Sequence, residues 1–184
     1  MRKTFIRFFT IADYEEEEIW LRRQHQNGWK LVRLIVPCFF IFESCEPEDV
    51  IYRLDYKNFK QTDDYMQLTK DFGWECFAKC MGWLYFRKPA GADEAEEEEL
   101  FSDNISRVEM AQRIVRTRLV PITIIFLCCV IPNLINAVNI RMGGLSIFFG
   151  IFFGIMFVVY CYLIIYCRIK LTMILKKYKN GSPG

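Results

Sequence analysis

Over the first ninety residues, short alternating stretches and two helical stretches follow one another; two long apolar runs come later. Thr4 to Phe9 reads as a short aromatic strand. Asp13 is placed to cap a helix whose first turn holds Glu15 to Glu18, where negative charge suits the helix dipole. Asn27-Gly28 ends that helix. Trp29 to Val36 alternates as a strand, Pro37 breaks it, and Cys38 to Phe42 forms another. After the turn Glu43 to Asp49, Val50 to Tyr56 alternates again, with Ile51, Arg53 and Asp55 on one face and Tyr52, Leu54 and Tyr56 on the other. Gln61 to Phe72 has helical spacing through Tyr65, Leu68 and Phe72, with Thr62 or Asp63 as its cap, and Gly73 ends it. Trp74 to Lys79 and Trp83 to Arg87 are two last strands around a Met81-Gly82 turn.

The helices share a signature, since each ends in Gly-Trp and runs straight into a strand, at Gly28-Trp29 and Gly73-Trp74. This weak internal repeat and the element order predict an α+β fold. The specific expectation is a ferredoxin-like antiparallel sheet with two helices on one face and extra strands, over residues 1–89. Residues 90–99 are an acidic linker, read as a solvated spacer. Residues 100–118 read as a stalk helix with Ser102 or Asp103 as cap and a stripe through Ile105, Val108, Met110, Ile114 and Val115.

Between Arg118 and Arg141 lie 22 uncharged residues, and between Arg141 and Arg168 another 26. At about 1.5 Å per residue, roughly 20 residues cross a hydrocarbon core of about 30 Å. Two transmembrane helices are expected, over 119–138 and 145–167, joined by a short outer loop, 139–144, and followed by a basic tail, 168–184. Bases set the orientation. Arg113, Arg116 and Arg118 precede the first span and five bases follow the second, whereas the loop has only Arg141. The positive-inside rule puts both termini in the cytoplasm of a two-pass cell-membrane protein. The N-terminus lacks the apolar core and cleavage site of a secretory signal. The first span carries Pro121, Pro132, Asn133 and Asn136. The two asparagines either present a polar face to another helix or lie near the outer interface, and the short loop favours the second. Gly150 and Gly154 in the second span form a small-xxx-small pair, a candidate packing face for self-association or for the seam with the first span. No ionisable residue lies inside either span, which argues against a proton or ion pathway.

Charge sharpens this division. All 22 acids lie between Asp13 and Glu109. With 15 bases against them, residues 1–109 carry −7, while the last 75 residues carry +9. A basic, acid-free C-terminal half suits an anionic membrane surface.

Candidate chemistry is sparse. The one histidine, His25, sits near a helix end and reads as a surface or cap residue. No phosphate loop, dinucleotide fingerprint or acyl-transfer serine motif is present. Cys128, Cys129, Cys161 and Cys167 fall in or at the spans as small apolar residues. Cys38, Cys45, Cys76 and Cys80 fall in a reducing compartment, so structural disulfides are not expected. Cys76 and Cys80, four apart on a strand, would share a face about 13 Å apart, too far for a common metal unless the strand bends. The expectation is a non-enzyme with no cofactor and no direct nucleic-acid binding.

The order Trp29-Lys30-Leu31, Val50-Ile51-Tyr52-Arg53-Leu54-Asp55-Tyr56, Phe72-Gly73-Trp74-Glu75 and Gly82-Trp83-Leu84-Tyr85-Phe86-Arg87-Lys88-Pro89 resembles a bacterial family. So does Leu100-Phe101-Ser102-Asp103-Asn104 after an acidic spacer. The family is the Gram-positive domain-of-unknown-function family 2812, matched over roughly residues 3–118. The resemblance implies following membrane spans and genes beside PadR-like transcription regulators. It implies no activity and no catalytic residues.

The leading reading is therefore a membrane-anchored binding or sensor module acting through protein contacts, with a regulator, a peptide or another membrane protein as partner. Trp20, Trp29, Trp74 and Trp83 are the candidate contact residues, set against the alternative that most are core. An accessory subunit of a transport or export complex is the alternative, using the Pro/Asn and glycine features of the spans. A thiol or zinc sensor built on Cys76 and Cys80 is a third.

Overall fold

The computed structural model describes residues 1–36, 38–57, 63–91, 104–139 and 143–179. Most of the acidic linker, the start of the stalk with its Ser102/Asp103 cap, the middle of the outer loop, Pro37, Thr62 and the end of the tail lie outside the described residues. The chain divides into two compact units, Met1–Met110 and Ala111–Pro183.

The first unit is α+β. Its elements are β1 (Arg2–Ile6), α1 (Tyr14–Gln26), β2 (Trp29–Ile35), β3 (Phe39–Ser44), β4 (Val50–Tyr56), α2 (Asp63–Asp71), β5 (Glu75–Cys80) and β6 (Trp83–Pro89). The strands do not form the single ferredoxin-like sheet. They form two antiparallel three-stranded sheets, ordered β1-β3-β2 and β4-β6-β5. Each sheet is one βαββ unit with its first and second strands flanking its third, so the repeat is complete in topology. It extends to detail. Gly28 and Gly73 both adopt φ +82°. Each donates its N–H back to a helix carbonyl at 2.9 Å, His25 O and Lys70 O respectively. β2 carries an irregularity between Leu31 and Arg33, and β5 carries one between Cys76 and Ala78, at the same distance past the glycine.

Packing follows from alternation. On one face of the second sheet, Ile51, Trp74, Leu84 and Phe86 form a core covered by Tyr65 and Met66 of α2. α2 thus buries Thr69 and turns Leu68 and Phe72 outward, 53% and 49% exposed, which corrects the Tyr65/Leu68/Phe72 stripe. The opposite face meets α1, where Tyr14 packs against Trp83 and Tyr85 donates to Glu17. The far side of α1 carries Trp20 onto the first sheet, against Phe5, Phe40 and Phe42. α1 therefore lies between the two sheets. Asp13 precedes α1 but does not cap it, because its carboxylate closes the turn before the helix by accepting from Thr10 N and Oγ1. Met81 and Gly82 both have positive φ, the geometry of a two-residue hairpin turn between β5 and β6.

α3 (Asn104–Ile114) begins a helical run that continues through α4 (Val120–Ile125) and α5 (Ile131–Asn139). Two π-helical stretches interrupt it, Val115–Leu119 and Phe126–Val130. Each directly precedes the turn holding a proline, Pro121 or Pro132. Proline lacks an N–H and its ring crowds the carbonyl four residues back, here Thr117 and Cys128, both inside the widened turns. α6 (Gly143–Lys179) is one 37-residue helix, so the basic tail continues the second apolar run as far as it is described. Two 30-residue segments, Arg107–Asn136 and Ile147–Lys176, are long and apolar enough to cross a membrane. In the second unit the two runs pack side by side, with Phe126 against Phe157 and Tyr160 at 5.4 and 5.8 Å.

Candidate functional site

The left-handed glycines bring the ends of both helices and the starts of the strands after them to one cleft. It has a volume of about 570 Å³ and is lined by His25, Lys30, Cys45, Glu48, Glu75 and Arg87, among others. Gly28 is required where it stands, since a Cβ there would meet the Cys45 carbonyl at 3.1 Å in addition to its positive φ.

Two hydrogen-bonded pairs lie along the cleft. Glu75 on β5 holds Arg87 on β6 through two bonds of 2.6 and 2.9 Å. Beyond that pair, the Tyr52 hydroxyl lies 2.8 Å from His25 Nδ1. Burial, then the nearby Arg87 charge, lowers His25 from its ordinary 6.5. Burial pushes Tyr52 up to about 12. The hydrogen bond from Arg87 lowers Glu75. The Phe77 ring lies under the guanidinium at 4.9 Å. Next in chain to the lining residue Glu48, Asp49 accepts from Arg22 at 2.7 and 2.6 Å and from Gln26 at 2.8 Å. The cleft thus joins the Glu75–Arg87 and Tyr52–His25 pairs to walls of both charge signs, an arrangement suited to a polar segment or small polar ligand.

His25 is 6% exposed, not a surface cap. The signal was the spacing Tyr14, Glu17, Glu18, Leu21, His25, one helical face that is buried throughout. The acids in it resemble ordinary helix-start charges, which hid the face. Burial raises both Glu17 and Glu18 from 4.5 to about 7, against the opposing Tyr85 bond at Glu17 and the Arg53 charge at Glu18. Glu18 accepts the edge N–H of Leu54 at 2.7 Å. Met110 Sδ accepts that of Tyr56 at 3.4 Å. Together they cover the β4 edge. Arg107 on α3 reaches Glu15 at 3.8 Å.

The four tryptophans are not an exposed surface. Trp74 is 2% exposed in the core, which removes it as a contact residue. Trp20 is half-buried among four phenylalanines. Trp29 and Trp83 are half-buried, Trp29 beneath Lys3 and Trp83 between Tyr14 and Tyr56. The β5 irregularity places Cys76 opposite Phe86 and Cys80 opposite Trp83, hence on different faces of the sheet. They do not share a face as regular alternation predicted, and burial raises both thiols. Among the described residues no three His, Cys, Asp or Glu side chains converge to hold a metal.

In the spans, Asn133 donates to the Cys129 carbonyl of its own helix at 2.7 Å, and Asn136 is exposed. A Cβ on Gly154 would meet nothing within 4 Å, so Gly154 is not part of the helix–helix seam. Gly150 is half-exposed.

Fold and composition together define a small α+β domain joined to two helices compatible with a bilayer. The family model for proteins of unknown function DUF2812 matches residues 13–125. The chain belongs to that family. No curated protein and no solved structure matches it.

Proposed function

We propose that this chain is a two-pass membrane protein, both termini cytoplasmic, whose N-terminal domain is a binding or sensor module working through protein contacts. A soluble transcription regulator of the PadR-like kind is the partner class the reading favours. One observation supports it most. The 13 residues of α1 carry His25 in the cleft at one end and Glu15, facing Arg107 of α3, at the other. That is a rigid rod of about 20 Å. Its far end rests on the helix from which the chain runs on into the first span. Occupancy of the cleft and the state of the stalk are thereby linked through one helix.

The test is affinity capture of the full chain from crosslinked membranes. Arg87→Met and His25→Phe should each deplete the captured protein about tenfold while expression is unchanged. Replacing both spans by a neutral hairpin should leave capture intact. Capture that ignores the cleft variants overturns the site. A second reading, an accessory subunit of a transport or export complex, draws on the open face at Gly154. It predicts multispanning partners that are lost with the native spans.

A further inference from the structure

The outer face of the β1-β3-β2 sheet ends in an apolar tip. Ile6 and Ile35 both pair with Phe39, forming one row across three strands. They are 73%, 43% and 39% exposed, and Phe8 and Val36, just beyond the strand ends, are 64% and 52% exposed. The sheet has no shortage of cover on its other face, where Phe40 and Phe42 are buried under Trp20. Scattered apolar residues on a surface are ordinary, but five large ones at one tip are not. The rows behind the tip on the same face are Thr4, Ile41, Arg33 and then Arg2, Glu43, Lys30. That is three bases against one acid, with Arg2 3.7 Å from Glu43 and Lys30 reaching the cleft as well.

We infer that this tip docks on the anionic surface of the bilayer that anchors the chain. An apolar edge backed by bases is the arrangement of an interfacial element, with the apolar side chains at the acyl boundary and the bases at lipid phosphates. A second copy offers poorer complementarity, because a matching face would set Arg2, Lys30 and Arg33 against the same bases. Tethering also holds the domain at high effective concentration next to the membrane. The inference rests on the reading of the two apolar helices as spans.

The test uses the full chain in lipid nanodiscs with photoreactive p-benzoylphenylalanine at single positions, read by intact mass. Phe39 is the probe, Ile151 in the second span is the lipid control, and Leu68, exposed on α2, is the domain control. With phosphatidylglycerol discs, positions 39 and 151 should give lipid adducts and position 68 should not. The adduct at 39 should fall about tenfold in phosphatidylcholine discs and in the double variant Arg2→Glu, Arg33→Glu. Lipid labelling at 151 without labelling at 39 overturns the docking and leaves the spans standing. Failure at 151 as well overturns the spans. An adduct at 39 with a second chain, one that ignores lipid charge, or one no stronger than at 68 also overturns the docking.

Discussion

Glu17→Gln is expected to stabilise the domain, and only at high pH. Glu17 is 6% exposed and accepts a 2.9 Å bond from the Tyr85 hydroxyl. Burial raises its carboxyl from 4.5 to about 7, with Glu18 and Asp13 adding to the rise. The sign follows directly. The folded state holds the proton more tightly than the unfolded chain, so stability is greatest below about 4.5 and is lost as pH rises through about 7. Fully ionised, the folded state is disfavoured by about 3 kcal/mol. Glutamine keeps an acceptor for Tyr85 and cannot ionise. The gain should be about 3 kcal/mol at pH 8 and under about 0.5 kcal/mol at pH 4.5. For a domain this size that is a shift on the order of 10 °C in melting temperature. All four tryptophans lie in the first unit, so tryptophan fluorescence of the full chain in micelles reports this unit alone. A gain equal at both pH values, or a loss at pH 8, would refute the reasoning.

Gly28→Ala should cost more than Gly73→Ala, by about 1 kcal/mol, in chemical denaturation followed by the same signal. Both have φ +82°, but a Cβ at Gly28 meets a backbone carbonyl at 3.1 Å while one at Gly73 meets only the Lys88 side chain at 3.5 Å. His25, the one histidine, should titrate below 6.5 by proton NMR, and Tyr52→Phe should alter that titration. Because its folded value is lowered, its contribution is full above about 6.5 and is lost as pH falls. Phe126→Ala should loosen the helical hairpin, costing about 2 kcal/mol through the contacts with Phe157 and Tyr160, whereas Asn133→Leu should leave it intact. Interhelical crosslinking yield checks both.

Much of the fold was legible in local pattern. The Gly-Trp boundaries, the β4 alternation and the two apolar runs each follow from neighbours in sequence. The partition into two sheets does not, because β2 and β5 carry the same alternation whichever strands they pair with. The irregularities at Val32 and Phe77 are equally silent in sequence, yet one of them sends Cys76 and Cys80 to opposite faces. The site was hidden for a different reason. Glu17, Glu18 and His25 are residues that solvent normally claims. Only the second sheet, with Tyr52, Leu54 and Tyr85, supplies partners that make their burial tolerable. Tryptophan misled in the opposite sense, since aromatic residues that suit an interface suit a core as well.

The placement of the N-terminal domain bears most directly on the whole account. Epitope tags at both ends, digested with protease in intact and in permeabilised protoplasts, measure it. Protection of both tags until permeabilisation is the predicted result. Cleavage of the N-terminal tag from outside would put the cleft beyond reach of any cytoplasmic regulator and contradict the account.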